Sequence, residues 1–119
     1  MNALKQYSSS VKVFFPKFNR EEVVDEVARC VKMLRGRLAL ERVVLFGSYA
    51  KEKYTVASDI DLLVIFDDEK SGEDEVYKVL MKSIKLPRVE LHILPKSSLK
   101  LYKESKWMKI IEEEGVKIL

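Results

Sequence analysis

A chain of 119 residues has room for one hydrophobic core and none for an appended recognition domain; its formal charge of +3 comes from bases spread along the chain, not from the run that a nucleic-acid stripe would need. Apolar residues make up 47% with few Pro and Gly, which excludes disorder; the single cysteine, Cys30, excludes an internal disulfide framework or a cysteine-rich zinc site and is expected in the core. No stretch approaches the roughly 18 apolar residues of a membrane span, and the start Met1-Asn2-Ala3-Leu4-Lys5-Gln6 lacks the apolar region of a leader, so a cytoplasmic location is expected.

Residues 1–18 mix Ser8-Ser9-Ser10 with Val11, Val13, Phe14 and Phe15 and show no period; they read as an arm that packs on the domain or as a short strand. Asn19 then caps a helix over Arg20 to Leu38, with Glu21 and Glu22 in its first turn and Val23, Val27, Cys30, Val31, Leu34 and Leu38 on one face. Arg42 to Phe46 is a short apolar run, a buried strand that ends at the turn Gly47-Ser48 and leads into a short helix, Tyr49-Ala50-Lys51. Ile60 to Phe66 is a second strand, followed by the loop Asp67 to Gly72. Val76, Val79, Leu80 and Ile84 mark a helix that stops before Pro87. Arg88 to Leu94 alternates as a third strand. Ser97 or Ser98 caps a helix carrying Leu101 and Tyr102, and Trp107, Met108, Ile110 and Ile111 give further helical turns ended by Gly115. The pattern is one α/β (α+β) domain over 1–119, a small mixed sheet flanked by helices.

Chemistry concentrates in two strands. Asp59 and Asp61 are two residues apart at the start of the second strand, so their side chains share a face, while Ile60, Leu62, Val64 and Phe66 make the other face apolar. Two carboxylates held that close repel, and a cation between them is the usual remedy. On the third strand Val89, Leu91 and Ile93 form the apolar face and Arg88, Glu90 and His92 the polar one. If the two strands are neighbours, Glu90 completes a set of three oxygen donors of the kind magnesium prefers; with His92 the only nitrogen donor, zinc is not expected. The Gly47-Ser48 turn can bring backbone N–H groups and a hydroxyl to a phosphate, and a connector of ten residues separates it from Asp59.

The segment from Gly47-Ser48-Tyr49-Ala50-Lys51 to Ser58-Asp59-Ile60-Asp61-Leu62, with Glu90 on a later strand, resembles the signature of the polymerase-beta-type nucleotidyltransferase superfamily, and the size resembles its stand-alone minimal members. The resemblance implies the nucleotidyltransferase fold and a magnesium-dependent enzyme that transfers AMP from ATP to a hydroxyl. It implies that Asp59, Asp61 and Glu90 are catalytic and hold the metal, two ions in all. Gly47, Ser48, Lys51 and Ser58 would bind the nucleotide, with Glu90 also placed to accept the proton of the attacking hydroxyl. Three positions depart from the pattern: Lys51 stands where an arginine is usual, Glu52 where a glycine is common, and Glu90, one methylene longer, where the third acid is often aspartate.

Small members of this superfamily are commonly paired with a helical partner of the HEPN class that they restrain as antitoxins, some by adenylating a tyrosine of the partner. The resemblance therefore implies such a partner in trans, and the alternative is a nucleotide-binding antitoxin that inhibits by contact alone. Neither nucleic acid nor a membrane is expected as a partner, and homo-oligomerisation stays open. Tyr49, Tyr54, Tyr102 and Trp107 read as packing or partner contacts.

Overall fold

The computed structural model describes residues 18–119, so the arm expected over 1–18 lies outside the described residues except for Phe18. Asn19 opens helix α1 (Arg20–Leu38) with a capping box: its Oδ1 accepts the Glu22 N–H at 2.8 Å, and the Glu22 carboxylate accepts the Asn19 N–H at 3.0 Å. The six apolar positions read from the sequence are the six that α1 buries. Ala39 ends the helix in the left-handed region, and the chain turns directly into strand β1 (Leu40–Phe46), which starts two residues earlier than its apolar run and carries an irregularity between Leu40 and Arg42.

Strand β2 (Ile60–Phe66), helix α2 (Glu73–Ser83) and strand β3 (Val89–Pro95) follow, β3 beginning one residue later than expected because Arg88 has a φ of 57° and cannot continue an extended strand. A 3-10 turn (Lys96–Ser98) leads into helix α3 (Leu99–Tyr102), then helix α4 (Lys106–Glu114) and strand β4 (Val116–Lys117). The serine caps are corrected here. Ser98 stands at the N-cap position of α3 but makes no side-chain cap bond, and Ser97 instead donates its N–H and hydroxyl to the Asp68 carboxylate at 3.1 and 2.6 Å, whereas Ser105 caps α4 by accepting the Met108 N–H at 3.1 Å.

The sheet runs in the order β3-β2-β1-β4, with β2 and β3 parallel and β1 antiparallel to both β2 and β4. On one face Val43, Leu45, Ile60, Leu62, Val64 and Phe66 pack into the core shared by α1 and by Val76 and Leu80 of α2. The opposite face is covered by Met108 and Ile111 of α4, which meet Val44, Leu63, Ile65 and Leu94. That double cover explains why the central strand β2 is apolar from Leu62 onward with no alternation. Toward the start of β2 and β3 the same face carries the polar side chains Asp61, Glu90 and His92 instead. None of the described helices is long and apolar enough to cross a membrane.

Candidate active site

Register builds the site. Phe46 of β1 stands opposite Asp61 of β2, and Asp61 opposite Glu90 of β3, so one transverse row carries a ring and two carboxylates; two residues along, on the same face, Leu63 stands opposite His92. The neighbouring strands that the carboxylate set required are thus present. A ligand atom from each of Asp61, Glu90 and His92 lies within 4.8 Å of the other two. His92 Nε2 is 3.4 Å from Asp61 Oδ1 and 3.7 Å from Glu90 Oε1. Its ring is flanked by Phe46, centroids 5.1 Å apart, and by Trp107 of α4 at 6.2 Å; Trp107 in turn meets Phe46 edge-on and Tyr102.

Asp59 does not share that 4.8 Å span. It precedes β2, and its Oδ1 pairs with Arg88 Nη2 at 3.3 Å. The left-handed backbone of Arg88 and the 2.8 Å bond from the Ile60 N–H to the Arg88 carbonyl fix this corner. Reaching the cluster asks Asp59 to exchange one exposed ion pair, worth little in water, for a ligand bond.

The phosphate-binding candidates divide. Gly47 has a φ of 76°, and a Cβ on it would come within 2.6 Å of Asp61 Oδ2, so the turn and the carboxylate can coexist only with glycine there. The helix expected at Tyr49-Ala50-Lys51 is not formed. The segment is a hydrogen-bonded turn, closed by Lys51 N–H to Gly47 carbonyl at 3.2 Å and Lys53 N–H to Ser48 carbonyl at 3.0 Å, and it ends at Glu52 with a φ of 57°. A glycine at that last place would meet no steric cost, which supplies a physical reason for its frequency in the resembling pattern. Lys51 is drawn to Glu114 at the end of α4, 3.0 Å away, and Glu52 to Arg20 at 3.4 Å. Ser58 serves its own loop, its Oγ accepting the Thr55 N–H at 2.9 Å. Tyr49 and Tyr54 stack at 4.2 Å with their hydroxyls tied to the Phe18 carbonyl and the Arg20 N–H, so both pack the turn against the start of α1.

His92, Arg88 and Phe46 are the residues whose place in the site the sequence reading did not give. The alternation of β3 put His92 on the face of Glu90, and that was the available signal.

Residues 24–117, from the first turns of α1 to the end of β4, match the family described as the nucleotidyltransferase domain. The chain belongs to that family. A protein of Methanocaldococcus jannaschii named "Putative protein adenylyltransferase MJ0604" is 42% identical over 50 residues, covering 41% of this chain and 48% of the relative, so the match spans about half of that relative's length. A second protein of the same organism, "Putative protein adenylyltransferase MJ1379", is 28% identical over 79 residues, covering 66% of this chain and 79% of its own length. Among solved structures, one titled as a putative nucleotidyltransferase from Sulfolobus solfataricus superposes with a TM-score of 0.55 over 82% of this chain and 80% of that one; at 19% identity the likeness speaks for the nucleotidyltransferase fold.

The donor set suits the divalent metal that a nucleotidyltransferase domain uses. Two carboxylates sit side by side in register, and glycine clears the space beside one of them.

Proposed function

We propose that this protein is a nucleotidyltransferase that moves the adenylate of ATP, with magnesium, onto a hydroxyl of a partner protein. The carrying observation is the row Asp61–Glu90 beside the Gly47 turn, with Asp59 at its mouth. When bound between these carboxylates, a divalent ion supplies positive charge against the triphosphate and the leaving pyrophosphate. Gly47 and Ser48 bring backbone N–H groups to the outer phosphates. Glu90 accepts the proton of the attacking hydroxyl, whose oxygen bonds to the α-phosphorus as the bond to the bridging oxygen breaks and pyrophosphate leaves.

Our reading extends to the acceptor: a tyrosine of a helical, HEPN-class toxin for which this chain is the antitoxin. Two features support a protein acceptor. Similar proteins carry adenylyltransferase names, and Leu101, Tyr102, Trp107 and Ile110 on α3 and α4 stay exposed, the last three between 38% and 46% and Leu101 at 81%.

Incubation of the purified pair with ATP and magnesium, followed by intact mass measurement, tests this. The expected outcome is a gain of one or more adenylates on the partner, abolished in an Asp59→Ala, Asp61→Ala double variant. A second reading, inhibition by contact alone, is favoured by the ion pairs that occupy Lys51, Glu52 and Asp59. It predicts no mass gain and full inhibition by the double variant.

A further inference from the structure

The donors nearest one another at the site are not three carboxylates. Asp61, Glu90 and His92 offer two oxygens and one imidazole nitrogen within 4.8 Å, while Asp59 is held by Arg88. Adjacent ligands on an octahedral ion with bonds of about 2.1 Å lie about 3 Å apart, and opposite ones about 4.2 Å. The His92 to Asp61 and Glu90 distances, 3.4 and 3.7 Å, fall between these limits, and the set as a whole, spanning up to 4.8 Å, has to draw in by less than about 1 Å to close on a common ion. The imidazole is also pre-oriented, since Phe46 and Trp107 flank the ring and its Nε2 already faces both carboxylates. A ring placed for packing alone would not need that nitrogen turned toward two acids.

Resting on the reading of this cluster as the metal site, we propose that His92 is a metal ligand alongside Asp61 and Glu90, and that the site therefore binds manganese in preference to magnesium. Both ions are hard and take carboxylate oxygen, but magnesium keeps to oxygen ligands and water, whereas manganese, the first of the divalent transition series, tolerates an imidazole nitrogen better, so one nitrogen in the coordination shell shifts selectivity between the two. Magnesium can still occupy the carboxylate pair; it gains less from the third ligand. The selectivity thus belongs to His92, while Asp59 stays paired with Arg88 outside the cluster.

His92 is the only histidine in the chain, so in tag-free protein an imidazole signature has a single source. The probe is manganese alone, without nucleotide. Binding is read from loss of the free-ion electron paramagnetic resonance signal, and coordination from the nitrogen hyperfine modulation of the bound ion. The expected result is an imidazole modulation in the wild type that changes on isotopic labelling of histidine. In a folded His92→Gln variant the modulation disappears and manganese affinity falls on the order of tenfold or more, with a smaller loss for magnesium measured by competition. Manganese bound without imidazole modulation, but released by Asp61→Asn, overturns the His92 assignment and leaves the carboxylate site standing. No manganese binding, or binding untouched by Asp61→Asn, overturns both.

Discussion

Gly47 shows how tightly the turn and the first carboxylate are interlocked. Its backbone is left-handed and its missing side chain is the space Asp61 Oδ2 occupies. Gly47→Ala should therefore cost about 1 kcal/mol or more in stability from the backbone alone. It should also displace Asp61 and weaken manganese binding by an order of magnitude or so, a pairing of effects that calorimetry and metal titration separate. The Gly-Ser pair and the Asp pair were both legible as residues, but their contact was not, because the ten-residue connector says nothing of how the turn folds back on the strand. His92 was legible as a polar-face neighbour of Glu90 and no more. Its approach to Asp61 depends on parallel pairing between strands separated by α2, a non-local fact. Arg88 was read as the first residue of a strand because nothing in a non-glycine residue announces a φ of 57°.

At the scale of elements, α1 was readable almost to the residue. Its cap, acidic first turn and apolar stripe are local signals that all agree, and its burial follows them. The strand β4 was invisible: two residues offer no period, and it forms because Leu45 and Val44 supply partners for Val116 and Lys117. The Ser105 cap was missed because Ser97 and Ser98, closer to Pro95, gave the same local signal. What ties α1 to the start of the β3 side is Glu26. Its carboxylate accepts from Arg29 at 2.7 and 2.8 Å and from the Lys85 N–H at 2.8 Å, and Arg29 holds its pKa at about 2 against an ordinary 4.5. A group depressed on folding contributes stability above its unfolded value and loses it as pH falls through the folded one, so this clamp is complete above 4.5 and fades toward 2. Glu26→Gln should cost about 1 to 2 kcal/mol at neutral pH, discounted because solvent screens half-exposed Arg29. The variant should lack the wild type's extra loss of urea resistance across that acid window.

For the whole molecule, the sheet is sealed asymmetrically. The β4 segment pairs with one side of β1, and Ile118 and Leu119 continue that edge through bonds with Val43 of 2.8 to 3.2 Å. Gly115 makes the approach feasible, because a Cβ there would collide with the Ile111 carbonyl and the Val44 side chain. Gly115→Ala should therefore lift β4 from β1, costing about 1 to 3 kcal/mol and exposing a strand edge that promotes self-association; a lowered thermal midpoint with larger species in light scattering is the expected outcome. The fold class followed from the alternation of strands and helices, but the mixed direction of the sheet did not, since crossovers and hairpins both fit the spacing between β1 and β2.

The chain has one tryptophan, and it stands 6.2 Å from the imidazole proposed as a ligand. Trp107 is thus an intrinsic optical reporter for the site. Loading a paramagnetic ion beside His92 should quench its emission, and a diamagnetic ion should do so far less, so occupancy can be followed in real time without a dye. The same ring lies within reach of Tyr102, half-exposed on α3, so covering that surface should shift the emission to the blue. Ion and macromolecule would then be distinguishable by intensity and by colour in a single cuvette.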